Sequence, residues 1–159
     1  MKGLLGLALL AQIAPQTPEE QIRRAVSVVE TPAIREAAAP VEQWLGRALV
    51  VYEGGGNLGD LPVAVFPRSP EPSEALVTPT AVFVRKAQFT QFRSSFELAE
   101  FLSHAAAHVR LKHAERNANT NRAEMETEAE AMAAEILMTA DCAPGPCAAF
   151  GRLLAAVRR

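Results

Sequence analysis

A chain of 159 residues with 49% apolar and 21% charged side chains has the length and composition of one folded domain, which excludes a disordered chain. A formal charge of -2 and the lack of any extended Lys/Arg tract exclude an electrostatic nucleic-acid face.

The start of the chain differs from the rest. Lys2 is followed by Leu4, Leu5, Leu7, Ala8, Leu9, Leu10 and Ala11, with no further charge until Glu19. A basic residue, a short apolar run and small residues are the pattern of a signal peptide over residues 1–16. The run is too short for a permanent membrane helix. The expectation is a secreted or periplasmic protein with one domain over 17–159 and no stable membrane span after leader removal. The alternative is an ordinary buried N-terminal helix.

Thr17-Pro18-Glu19-Glu20 is a helix start, with a Thr cap, Pro in the first turn and acids at the positive end of the dipole. This first helix is expected to reach about Glu30. Thr31-Pro32 opens a second helical stretch, expected to break at Pro40 and resume through Trp44. Ala48 to Tyr52 reads as a buried strand, and Gly54-Gly55-Gly56-Asn57 as a turn. No Lys and Ser/Thr follow those glycines, so they are not a phosphate-binding loop. Leu61 to Phe66 is a second expected strand, followed by a Pro/Ser/Glu-rich loop from Pro67 to Ser73. Thr80 to Phe89 is a third, with Val82 and Val84 on one face.

Ser94 and Glu97 fit a capping box opening the next helix. Asn117 to Asn121 is a polar turn, Arg122 to Ala140 a long helix, and Cys147 to Val157 a short last one. The order, helices then a small sheet then helices, is an α+β layout. Cys142 and Cys147 bracket Ala-Pro-Gly-Pro. In an exported protein a disulfide across that turn is geometrically reasonable, and two buried thiols are the alternative.

Chemistry concentrates in the stretch Leu102 to Leu111, L-S-H-A-A-A-H-V-R-L. His104 and His108, four apart, project about 40° from each other on one helical face and can grip one metal ion. His113, continued on the same helix, falls about 140° from His108, which makes it a surface or flanking residue. A third ligand must come from elsewhere. The next helix offers Glu124, Glu126, Glu128 and Glu130, of which Glu126 and Glu130 share a face with Ala133 and Leu137. A carboxylate there closes a His-His-Glu site, and Glu130, one turn on, can hold a histidine's second nitrogen. On periodicity alone this acidic run reads as a solvated face before it reads as a ligand set. Ala105 stands where a zinc peptidase carries the glutamate that takes a proton from metal-bound water.

The stretch E-L-A-E-F-L-S-H-A-A-A-H-V-R-L-K-H, then E-T-E-A-E-A-M-A-A-E-I-L, then C-A-A-F-G-R-L-L, resembles the gluzincin metallopeptidases of the HtpX, BepA and CAAX-prenyl-protease class. The resemblance covers about Ala48 to Leu154. It implies a minimal zincin-like domain, a small sheet packed on the active-site helix, with Zn2+ held by His104, His108 and Glu126 and with Glu130 in the outer position of the family's Asp. It further implies that Phe83-Val84-Arg85 is the edge strand that pairs with an extended peptide or protein substrate. The family reaction is peptide-bond hydrolysis by zinc-activated water, and Ala105 removes its general base. The expectation is therefore an inactive or very weak metallopeptidase-like protein. The alternative is a non-catalytic exported module that binds peptide or protein without metal.

Overall fold

A computed structural model describes residues 16–55, 58, 75–116, 121–140 and 147–159. The expected signal peptide (but for Gln16), the expected strand from Leu61 to Phe66, the Pro-rich loop after it and Cys142 lie outside the described residues.

Helix α1 (Pro18–Ala25) begins at a complete capping box. The Thr17 hydroxyl accepts the Glu20 amide at 3.2 Å, and the Glu20 carboxylate accepts the Thr17 amide at 2.8 Å. The helix stops five residues short of the expected end. Val26, Val28 and Val29 are β-branched and crowd a helical turn, and Ser27–Val28 instead form strand β1. Helix α2 (Pro32–Leu45), capped by Thr31, does not break at Pro40 as expected. Pro40 is solvent-exposed, so water can satisfy the carbonyl it leaves unpaired. The buried stripe Ile34, Ala37, Ala38, Val41 and Leu45 runs past it on the other side. Gly46, at φ 70°, ends the helix in the left-handed conformation and donates its N–H to the Glu42 carbonyl at 2.8 Å.

Strands β2 (Ala48–Glu53), β3 (Leu76–Val77) and β4 (Ala81–Arg85) complete a mixed sheet in the order β1-β2-β4-β3. β2 and β4 are parallel, with Ala48 opposite Ala81 and Tyr52 opposite Arg85, while β1 and β3 pair antiparallel. Two expectations are corrected here. β4 has β3 as an outer neighbour over Val82 and Phe83, with Leu76 opposite Phe83 and Val77 opposite Val82, so the expected edge strand is paired at Phe83. It also ends at Arg85, because Lys86-Ala87-Gln88-Phe89 lacks β-branched residues and turns into the short helix α3 (Lys86–Phe89).

Alternation along the strands sends side chains to two cores. Leu49, Val51, Val77, Val82 and Val84 face the main core, which they share with helix residues such as Ile34, Leu98, Leu102 and Leu153. Val50, Tyr52, Leu76, Ala81 and Phe83 form a second cluster with Ile22 of α1. The main core is closed by α4 (Ser95–Arg110), α5 (Arg122–Thr139) and α6 (Ala148–Arg158). Trp44 of α2 meets the Phe150 ring edge-on at 5.2 Å and donates its indole N–H to the Thr139 hydroxyl at 3.3 Å, tying α2 to α6 and α5. The result is an α+β fold. No helix among the described residues is long and apolar enough to cross a membrane.

Candidate metal centre

The ligand-bearing helix starts at Ser94, whose hydroxyl accepts the Glu97 amide at 3.2 Å. The Glu97 carboxylate, expected to reach back to Ser94, instead takes the amide and guanidinium of Arg93 at 2.6 and 2.9 Å. Leu98, Ala99, Leu102, Ala105 and Ala106 bury one face of α4 in the main core. That anchoring fixes the rotation of the helix and turns His104 and His108 toward α5. The run Ala105-Ala106-Ala107 and the fully buried Ala129 present only methyl groups, so the two helices can lie close together.

His104 and His108 come from the last two turns of α4, and Glu126 from the second turn of α5. Their ligand atoms all lie within 4.8 Å of one another. His104 Nε2 is 3.0 Å from His108 Nε2 and 3.0 Å from one Glu126 oxygen, and the other Glu126 oxygen is 3.4 Å from His108 Nε2. Zinc–nitrogen bonds of about 2.0–2.1 Å at tetrahedral angles separate neighbouring ligand atoms by about 3.3 Å. The observed spacings lie close to that value, with each histidine facing a different oxygen of the Glu126 carboxylate, so the three side chains could hold a metal ion. Two imidazoles and one carboxylate leave a fourth tetrahedral position for water or another ligand. When bound, the ion would supply Lewis acidity and lower the pKa of a coordinated water.

His113 departs from the place an unbroken helix would give it, because α4 ends at Arg110 and Lys112 adopts the left-handed conformation at φ 54°. The reversal starts a 3-10 turn, His113–Glu115, and swings His113 back under α4. It is fully buried rather than a surface residue. Its Nδ1 lies 2.8 Å from His108 Nδ1, and its Nε2 lies 3.1 Å from a Glu128 oxygen. The Arg116 guanidinium is 2.7 Å from the same oxygen. The His113 hydrogen bond, with the Arg116 pair, holds the Glu128 carboxyl below its ordinary value against the opposing effect of desolvation. Glu130 lies one turn beyond Glu126 and is exposed, while the second nitrogen of His108 is met by His113. The signal available in the sequence was the polar Lys112-His113 pair straight after an apolar helix, which marks a stop.

The parts that hydrolysis would need are distributed differently. Ala105 is 2% exposed and packs in the main core, with no acid or base of its own. Glu100, one turn earlier, points into solvent. Tyr52, the single phenol, is buried in the second cluster on the opposite sheet face. His113 sits behind His108, on the side away from the ligand nitrogens. Phe83 belongs to that second cluster as well, Val84 to the main core, and Arg85 stacks over the Tyr52 ring at 5.5 Å. Among the described residues the outer strand on this side of the sheet is Leu76–Val77. Cys147 is buried at the start of α6, and no free cysteine occurs among the described residues.

Fold and site together define an α+β protein whose facing helices carry a His-His-Glu group able to hold a metal ion. Comparisons with protein-family models, with curated proteins and with solved structures return no match.

Proposed function

We propose that this protein is an exported zinc-binding protein of the gluzincin metallopeptidase type that has lost its general base and binds extended peptide without efficient hydrolysis. The observation that carries the reading is the convergence of His104 Nε2, His108 Nε2 and the Glu126 carboxylate from two separate helices. The helix order, His-bearing before Glu-bearing, and the sheet packed on the first of them support the same assignment. The weak activity follows from chemistry. A positioned general base contributes about 10²–10⁴-fold and an oxyanion donor about 10²–10³-fold, and among the described residues Glu100, Tyr52 and His113 lie away from the facing Nε2 atoms of His104 and His108.

Metal analysis of the purified chain tests this directly. The expected result is about one zinc per chain, lost in His104→Ala. Zinc in neither protein, with peptide binding retained, would establish the metal-free binding module instead. With zinc present, Ala105→Glu is expected to produce measurable cleavage of casein or a peptide where the parent shows none or a trace. A zinc-loaded Ala105→Glu protein that folds and cuts nothing would remove the hydrolase ancestry from the reading and leave a metal-binding protein.

A further inference from the structure

We propose that His113 is a positioning residue for the metal centre, fixing His108 in the tautomer that presents Nε2 to the ion, with Glu128 selecting that tautomer from the far end. The proposal rests on the metal-binding reading above and adds a residue to it.

A chain of contacts runs from the metal-facing nitrogen of His108 to Glu128, and each link carries one proton. His108 Nε2 faces His104 and Glu126, and His108 Nδ1 faces His113 Nδ1 at 2.8 Å. A neutral imidazole carries one N–H. To offer a lone pair to a metal at Nε2, His108 must carry its proton on Nδ1, where it donates to His113. His113 must then accept at Nδ1 and carry its own proton on Nε2. That nitrogen lies 3.1 Å from a Glu128 oxygen, which can only accept. Arg116, 2.7 Å from the same oxygen, holds the carboxylate in place.

In this assignment every donor faces an acceptor. The reverse assignment fails at both ends. A proton on His113 Nδ1 would leave the His113 Nε2 lone pair against the Glu128 carboxylate. It would also push the His108 proton onto Nε2, where it blocks the metal. The choice at the buried end is thus made by a carboxylate at the surface end. His113, 0% exposed, has no water available to substitute for either partner. The device depends on the chain reversal at Lys112, since a continued helix would carry His113 to another face.

The test uses the full chain loaded with zinc. Nitrogen-15 spectra correlating ring nitrogens with ring protons should show His108 protonated at Nδ1 and His113 protonated at Nε2. Zinc affinity, measured by competition with a chelator, should fall about 10–100-fold in His113→Leu, which keeps bulk and removes the acceptor. In His113→Asn the amide oxygen replaces Nδ1 as acceptor, and most of the affinity should return. A merely structural role would not distinguish the two variants in that way. Zinc bound equally by parent and His113→Leu, or a parent spectrum with the His113 proton on Nδ1, would overturn the assignment while leaving the metal site standing. A parent protein that binds no zinc would overturn both. If His113→Leu does not fold, the parent tautomers decide.

Discussion

Zinc should raise the melting temperature of this protein, and the size of the effect follows from where the ligands sit. His104 and His108 belong to α4 and Glu126 to α5, with residues 111–121 between the helices. Unfolding separates the Glu126 ligand from the histidine pair, so metal binding is folding free energy. At free zinc a hundredfold above Kd the native state gains about 2.7 kcal/mol. For a chain of this size about 1 kcal/mol moves Tm by about 2–4 °C, which puts the shift near 5–11 °C. Each further tenfold in zinc adds about 1.4 kcal/mol, or about 3–6 °C. The assay is a series of thermal melts followed by circular dichroism, first with excess chelator and then at buffered free zinc. His104→Ala should flatten the dependence, because one imidazole and one carboxylate do not make a closed site. Identical melts with chelator and zinc would refute the reasoning. An undiminished shift in His104→Ala would refute it too, by placing the metal elsewhere.

Two further outcomes test the frame around the site. Glu97 is held below the ordinary carboxyl value of 4.5, first by the Arg93 amide, with the Arg93 guanidinium adding to it against a smaller desolvation effect. A depressed folded-state value means stability present above about 4.5 and lost as pH falls through the folded value. Urea midpoints for the parent and Glu97→Gln should therefore differ at pH 6 and draw together as pH falls below 4.5, and a difference that widens in acid would contradict the sign. Ile136, 1% exposed on α5, packs in the main core, and Ile136→Ala should cost about 2–5 kcal/mol. Because Ile136 lies ten residues beyond Glu126, denaturant melts should show that loss while zinc stoichiometry stays at its parent value.

The helix starts were readable from the sequence because they depend on short-range chemistry. Thr17, Thr31 and Ser94 each cap with their own hydroxyl three residues ahead, and that geometry needs no tertiary partner. The pairing of His104 with His108 was readable for the same reason, since i and i+4 share a face in any helix. Glu126 was one of five acids on its helix until the resemblance singled it out. The structure places it against the histidines because Met125, Ala129 and Ile136 bury the neighbouring stripe.

What the sequence by itself determined is where the capped helices start, the Ala48–Tyr52 strand, the α+β class and the two imidazoles on one helix. Only the tertiary structure decided the rest. It covered β4 with β3, carried α2 past Pro40 and sent Tyr52 to the opposite sheet face from the main core. It also folded His113 beneath His108 through a single left-handed residue, Lys112. The burial of Tyr52 turns on contacts between segments far apart in sequence, and the position of His113 on one backbone angle that local propensity disfavours. A residue with a side chain takes φ near 54° only when the surrounding packing makes it worthwhile, and that packing is what a linear reading lacks.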